Sequence, residues 1–238
     1  MRNIATISAK EFKSYVASPM AYIITAAFLL GTGFFFVFTP TAFAETSIRG
    51  ILGNTMYTVV VLLLMSLLTM RLIAEEKKLG TIELLMTAPV TDTELVLGKF
   101  LGTALVMLVM FAFTLYFPLM LKIFGDPDIG PIFSGYLGLI LIGCSALAVG
   151  LFASSLTSNQ VVAAVVGGGI LLGLWFLGSF ASLLPARLAI AVAYFSSSNY
   201  LSDFVTGIID TRGIVYYVSI TALFLFLAIR SLENSRWS

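Results

Sequence analysis

Few side chains in this 238-residue sequence could perform chemistry, and most of them are charged residues between long apolar segments. The sequence has no histidine, which excludes the usual zinc sites, His-based catalytic triads and imidazole proton relays. Its one cysteine, Cys144, lies in an apolar run and is expected to pack as a small side chain. Ser145, Ser154 and Ser155 have no evident base nearby, and we expect their hydroxyl groups to bond to their own helices. These residues do not favour an enzyme.

The longest polar connection, residues 74–99, carries a concentrated charge run. It begins with Glu-Glu-Lys-Lys at residues 75–78, which continues the preceding helix into water. Gly80 then breaks this helix, and Thr81 can cap a short helix over residues 82–86. This short helix has an apolar side, so it either lies on a lipid surface or forms a rigid bracket that a cytoplasmic partner pushes.

The amino-terminal segment, residues 1–18, is too polar to cross a membrane but has an apolar face. At helical spacing this face contains Ile4, Ile7, Phe12, Tyr15 and Val16. Lys10 and Lys13 lie on the opposite side, which predicts a basic amphipathic helix at the inner membrane surface that ends before Pro19. Glu11 lies within the apolar sector, where it either reaches water from the helix edge or pairs with a partner subunit.

The elements that position these charges are six long apolar segments. Hydrophobic residues make up 59% of the sequence and charged residues 11%, compared with roughly 25% charged in soluble domains, so a soluble enzyme is excluded. Each segment has about 20 mostly apolar residues, enough to cross the hydrocarbon core, and continuous apolar runs select helices over barrel strands. We predict an all-α integral membrane protein, one domain over residues 1–238, with spans at 20–39, 55–73, 100–121, 136–156, 161–184 and 214–229. Thr91 and Glu94 form a predicted capping box ahead of the third span.

The positive-inside rule places both termini in the cytoplasm. Of the 13 Lys and Arg residues, the outer connections then hold only Arg49, Lys122, Arg187 and Arg212. Ala42-Phe43-Ala44 resembles a signal-peptidase site, but the apolar run before it is longer than that of a signal peptide. Cleavage there would leave five spans and an external amino terminus. Residues 185–212 are too many for a simple turn and predict two short re-entrant or interfacial outer helices, the second over 200–209 after an interruption at 196–199.

Small residues within the spans predict close helix packing. Gly169 and Gly173 have the Gly-x-x-x-Gly spacing, and Ala146 with Gly150 is a looser version of it. Such surfaces let helices approach closely, either within one subunit or across a dimer.

The stretch EEKKLGTIELLMTAPV at residues 75–90 resembles the coupling region of ABC-2 type transporter permeases. In that family a similar pattern precedes a Gly-Lys pair at the next span, matched here by Gly98 and Lys99. The carboxyl end, with GIIDTR at residues 207–212, Tyr-Tyr at 216–217 and Leu-Glu at 232–233, is similar to the gliding-motility-associated branch. The six-span layout, the N-terminal interfacial helix and the paired outer helices fit the same family.

The resemblance implies a half-transporter of a prokaryotic inner membrane. Two membrane subunits, identical or different, would pair in the lipid bilayer, and each would bind a separate cytoplasmic ABC ATPase subunit that carries ATP and Mg. Nucleic acid is not an implied partner. The ATPase-coupling residues would be Lys10, Glu11, Lys13, Glu75, Glu76, Gly80, Thr81, Glu83, Leu84 and Leu85.

The energy source decides between the functions that remain open. The sequence has no G-x-x-x-x-G-K-[ST] phosphate-binding motif, so we expect no catalytic, cofactor or metal site in this chain. An ABC-2 exporter of an amphipathic, lipid-linked or polymeric cargo fits best. A secondary transporter or channel is the alternative, but the spans lack central ionisable residues and no inverted repeat is visible. An ATP-driven membrane machine that moves no solute also remains open.

Overall fold

The structure is a computed structural model that describes residues 2–38, 49–81, 90–124, 127–181, 185, 192 and 194–235. Within these ranges the regular structure is entirely helical. The helices are α1 (Arg2–Ala17), α2 (Pro19–Phe38), α3 (Arg49–Leu52), α4 (Thr55–Thr69), α5 (Ala74–Leu79), α6 (Asp92–Thr114), α7 (Tyr116–Phe124), α8 (Ile129–Leu156), α9 (Gln160–Ala181), α10 (Ser197–Thr206) and α11 (Thr211–Ser235).

Six helical stretches are long and apolar enough to cross a membrane, which confirms the predicted fold class. They are Pro19–Phe38, Thr55–Leu79, Asp92–Ile123, Ile129–Leu156, Gln160–Phe180 and Thr211–Asn234. The third begins at Asp92, directly after the predicted cap at Thr91, and the apolar run expected from residue 100 continues this helix beyond the buried Lys99. The Ala-Phe-Ala sequence considered as a cleavage site lies outside the described residues.

The helix ends follow local sequence signals. Thr91 and Glu94 form the predicted capping box, and the Asn54 side chain caps α4 by accepting from the amide of Met56 at 2.9 Å. Gly80 ends α5 with a φ of 71°, a left-handed conformation that glycine adopts without strain, as predicted for the helix break.

Helix α8 lies at the centre of the bundle and packs against α4, α6, α9, α10 and α11. Small residues on α8 allow these close approaches. A Cβ atom added to Gly143 would lie 2.5 Å from the sulfur of Met107 on α6, and one added to Gly150 would collide with the Thr69 hydroxyl of α4. Packing of this kind holds helices together in lipid, where burial of apolar surface gives little driving force between them.

Two short helices were predicted in the outer connection. The first lies mostly outside the described residues, and the second has other bounds than predicted. The second short helix was expected over residues 200–209, but α10 runs from Ser197 to Thr206. The residues at 197–199 therefore begin the helix instead of interrupting it. Phe204 is fully buried and would contact a Cβ added to Gly138 of α8 at 2.7 Å, so α10 packs on the bundle.

Candidate functional site

Helix α1 lies directly against the first half of α6. A Cβ atom added to Gly98 would be 2.7 Å from Ile7, and one added to Gly102 would be 2.7 Å from the Cβ of Glu11. These two glycines are spaced as Gly-x-x-x-Gly, which lets two helix backbones come close together. The buried face of α1 differs from the prediction at Val16, which is 49% exposed, whereas Tyr15 is 1% exposed. Glu11 lies on the packed face because a positively charged side chain of α6 forms an ion pair with it there.

That charge is Lys99, which joins three helices. Its Nζ donates to Oε2 of Glu11 on α1 at 3.3 Å and to Oε1 of Glu76 on α5 at 2.7 Å. The Lys99 side chain is only 4% exposed, so the ammonium group depends on these two carboxylates instead of water. The Glu11 carboxylate is 17% exposed and pairs with a lysine of its own chain, and a pairing with a partner subunit stays a prediction. We call Glu11, Glu76 and Lys99 the ion-pair cluster.

A second set of contacts fixes α1 beside the end of α4. The Tyr15 hydroxyl donates to the carbonyl oxygen of Leu68 at 2.6 Å, and the Arg71 guanidinium lies 4.0 Å above the centre of the Tyr15 ring. Arg71 also donates to the Ser18 hydroxyl at 2.7 Å. Burial raises the pKa of the Tyr15 phenol well above its ordinary value, and Arg71 only partly opposes this effect, so Tyr15 remains a neutral donor.

Between α4 and α5 the second span is interrupted at residues 70–73, and Ser154 of α8 bonds to the interruption. Its hydroxyl donates to the carbonyl oxygen of Met70 and accepts from the amides of Ile73 and Ala74, each at 3.0 Å. The expectation that the three serines bond to their own helices is confirmed for Ser145 and Ser155. It is wrong for Ser154, because backbone groups that lack a partner within the second span lie within reach of its hydroxyl.

The same end of the bundle also joins α5 and α11 to α8. Lys77 donates from Nζ to the carbonyl oxygen of Ser155 at 2.6 Å, and the Ser231 hydroxyl donates to the same oxygen at 3.2 Å. The amino-terminal helix and the end of α11 therefore lie at the same end of the spans, as an even number of crossings requires.

A half-open cavity of about 250 Å³ lies within this polar end. Its walls include Lys10, Glu11, Arg71, Glu75, Glu76 and Lys99. Charges of both signs therefore line one cavity between α1, α5 and α6. Two buried side-chain polar atoms in the described part of the chain have no hydrogen-bond partner, Nη2 of Arg71 and Oε2 of Glu76.

The structure brings together four of the ten predicted coupling residues in this cavity, namely Lys10, Glu11, Glu75 and Glu76. Gly80 and Thr81 follow at the end of α5, where the Thr81 hydroxyl donates to the carbonyl oxygen of Glu76 at 3.4 Å. Lys13 is on the exposed side of α1. Glu83, Leu84 and Leu85 lie outside the described residues.

Sequence reasoning missed Lys99 as the centre of the site, although two signals pointed to it. The Gly98-x-x-x-Gly102 spacing marks a close helix contact around Lys99, and Glu11 is the charge that interrupts the apolar face of the facing helix.

The predicted packing residues divide into two groups. Ala146 and Gly150 are buried on α8, so their role is packing within the subunit. Gly169 and Gly173 lie on an exposed face of α9, where an added Cβ would meet no described atom within 4 Å. Packing of these two within the chain is therefore not found, and a contact with a second subunit stays a prediction. Across the described ranges no group of three or more Cys, Asp or Glu residues is placed to hold a metal ion.

A scan against protein families matches residues 37–231 to the ABC-2 family transporter protein model, which is most of the chain. The chain belongs to the ABC-2 transporter family. A search of curated proteins gives no match. As an ABC-2 protein it is a multi-pass membrane permease subunit of an ABC transporter, and membrane domains of this family normally lack an ATPase site of their own.

Proposed function

We propose that this ABC-2 permease couples a separate cytoplasmic ABC ATPase to the export of an amphipathic, lipid-linked or polymeric cargo. The observation that carries the proposal is the ion-pair cluster, in which one buried lysine holds α1, α5 and the start of α6 together. All of helix α5 except its first residue lies within residues 75–90, the segment that resembles the family's coupling region, and α6 begins just after that segment.

The cluster can transmit a displacement because its members are buried and bonded in more than one direction. Lys99 cannot leave both carboxylates without leaving a charge unpaired in a site that is largely shielded from water, which is strongly unfavourable. A push on α5 is therefore passed to α1 and α6 through the cluster, and to α8 through Lys77 and Ser154. The described spans carry no ionisable residue near their middles, where a gradient-driven carrier usually holds one.

The finer assignments extend the same proposal. Two permease subunits would pair, with the exposed Gly169 and Gly173 face of α9 as a candidate contact. The polar end with the ion-pair cluster would face the cytoplasm of a prokaryotic cell, in agreement with the distribution of Lys and Arg. The carboxyl-terminal motifs support placement in the gliding-motility-associated branch.

The first experiment asks whether an ATPase accompanies the permease. The chain, tagged at its carboxyl end, is purified from its native membranes in a mild detergent. We expect an ABC ATPase subunit to elute with it in an equimolar ratio and to hydrolyse ATP. A permease that elutes without any ATPase, and that moves solute alone in liposomes, would contradict the proposal.

The second experiment tests the coupling segment in the reconstituted complex. Replacing Glu83 with Ala should lower transport-linked ATPase activity more than it lowers membrane insertion of the permease. Glu233→Ala is the matched control, because Glu233 pairs only with the exposed Arg230 one turn away in the structure. Equal losses of activity and insertion in Glu83→Ala would mean that this residue serves folding instead of coupling.

A further inference from the structure

The second span is broken by a residue outside it. Residues 55–79 contain neither proline nor glycine, yet the helix stops at Thr69 and resumes at Ala74. Interruptions of helices arise almost always at proline, at small-residue pairs, at π-bulges or where another group enters the backbone ladder. The span has neither of the first two causes, and its described residues contain no π-helical turn, so a group that enters the backbone ladder is the remaining cause.

The entering group is the hydroxyl of Ser154, which is fully buried. It donates one hydrogen bond and accepts two, and this is the full capacity of a hydroxyl group. Its three partners are the backbone groups that a continuous helix would bond internally. In such a helix the amides of Ile73 and Ala74 would instead reach the carbonyl oxygens of Thr69 and Met70.

We propose that Ser154 is a positioning residue that holds the second span in its interrupted form, and that α4 and α5 can also join into one continuous helix. The two forms of the second span do not depend on the proposed function, whereas their role in coupling rests on it. The amides of Ile73 and Ala74 have a hydrogen-bond acceptor in the interrupted form and in the continuous helix, so the same segment has two hydrogen-bonded arrangements.

The interrupted form places α5 for its other contacts. Glu76 reaches Lys99 at 2.7 Å and Lys77 reaches the Ser155 carbonyl oxygen at 2.6 Å, both from α5. Ile73 has a φ of −120°, and closing the ladder would bring this angle to the helical value near −63°, which turns α5 and moves these side chains away from their partners. The bonds of Ser154 and the ion-pair cluster therefore stabilise the same arrangement.

The consequence for coupling is that the segment after Gly80 and helix α8 both act on the equilibrium between the interrupted and the continuous form of the second span. A partner that pulls on the segment after Gly80 changes the position of α5, and Ser154 connects α5 to α8, the central helix of the bundle. An element with two arrangements that both sites favour differently is what energetic coupling requires.

The test measures the distance between α5 and the end of α8 in the purified chain. In a Cys144→Ala background, spin labels are placed at two exposed positions by Lys78→Cys and Ser158→Cys, and distances are measured by pulsed electron spin resonance. Ser154→Ala should raise the population of a second distance roughly tenfold relative to the parent, the effect of losing buried hydrogen bonds.

Ser155→Ala is the matched control, because it removes the adjacent buried hydroxyl, which bonds only to Phe152 of its own helix. It should leave the distances unchanged, and Ser154→Thr, which keeps a hydroxyl, should restore the parent distribution. The proposal is overturned if Ser154→Ala leaves the distances unchanged or if Ser155→Ala alters them equally.

A second variant covers the case in which Ser154→Ala does not fold. Glu76→Gln weakens the bond to Lys99 while Ser154 stays intact, so it should also raise the second population, and an unchanged distribution would overturn the proposal. Because these measurements use the chain without an ATPase, a negative result here leaves the co-purification result intact, and the reverse also holds.

Discussion

Removing the positive charge at the centre of the ion-pair cluster should destabilise the permease strongly. Lys99→Met keeps the length of the side chain but leaves Glu11 and Glu76 without their shared partner. Lys99 is 4% exposed, and the two carboxylates are 17% and 24% exposed, so water can compensate only in part.

The magnitude follows from this burial. Removing one partner of a buried ion pair costs about 3–5 kcal/mol, and the partial exposure of the carboxylates places this case near 3 kcal/mol. That loss corresponds to roughly a 150-fold change in the unfolding equilibrium constant. Replacing all three residues, by Lys99→Met, Glu11→Gln and Glu76→Gln together, removes the stranded charges and should return the stability to within about 1 kcal/mol of the parent.

The assay is reversible unfolding in mixed micelles with increasing dodecyl sulfate, followed by helical circular dichroism. Lys78→Met is the control, because Lys78 is exposed on the same helix as Glu76 and its loss should change stability by less than about 0.5 kcal/mol. The reasoning is refuted if Lys99→Met is as stable as Lys78→Met, or if the triple variant is no more stable than Lys99→Met.

Two further predictions concern the packing of α1 against α6 and α4, and the same unfolding assay checks both. Gly102→Leu should cost about 2 kcal/mol or more, because its Cβ would meet Glu11 at 2.7 Å and a backbone oxygen at 2.9 Å. Gly169→Leu, on an open face of α9, should cost nothing in a monomeric preparation, and equal effects would argue against the α1–α6 contact. Tyr15→Phe should cost about 1–2 kcal/mol because the carbonyl oxygen of Leu68 loses its buried donor. Tyr22→Phe removes an exposed hydroxyl bond and should change stability by less than about 0.5 kcal/mol, and a larger loss than in Tyr15→Phe would contradict this assignment.

The spans were predictable from sequence because long apolar runs have no other stable use than crossing a membrane as helices. The ends of the spans were less predictable. The apolar run of the third span begins after Lys99, since a charge normally marks the edge of such a run. Lys99 lies inside the helix because Glu11 and Glu76, which are distant in sequence, neutralise it there.

The residues of the candidate site could largely be predicted from the sequence, but their contacts with one another could be predicted only in part. The charged residues before Gly80 and on α1 were recognised, and four of them share one cavity. The contact of Ser154 with the second span could not be predicted, because it joins residues about 80 positions apart. No local pattern distinguishes Ser154 from Ser155, which bonds within its own helix.

Cross-linking to the ATPase tests the central claim most directly. In the complex purified from native membranes, with Cys144 replaced, single cysteines are placed at exposed Lys13 on α1, at exposed Lys78 on α5, and at Arg49 beside Asp128 at the other end of the spans. The account predicts that Lys13→Cys and Lys78→Cys cross-link to the ATPase subunit and that Arg49→Cys does not. Cross-linking from position 49, or from neither of the other two positions, would contradict it.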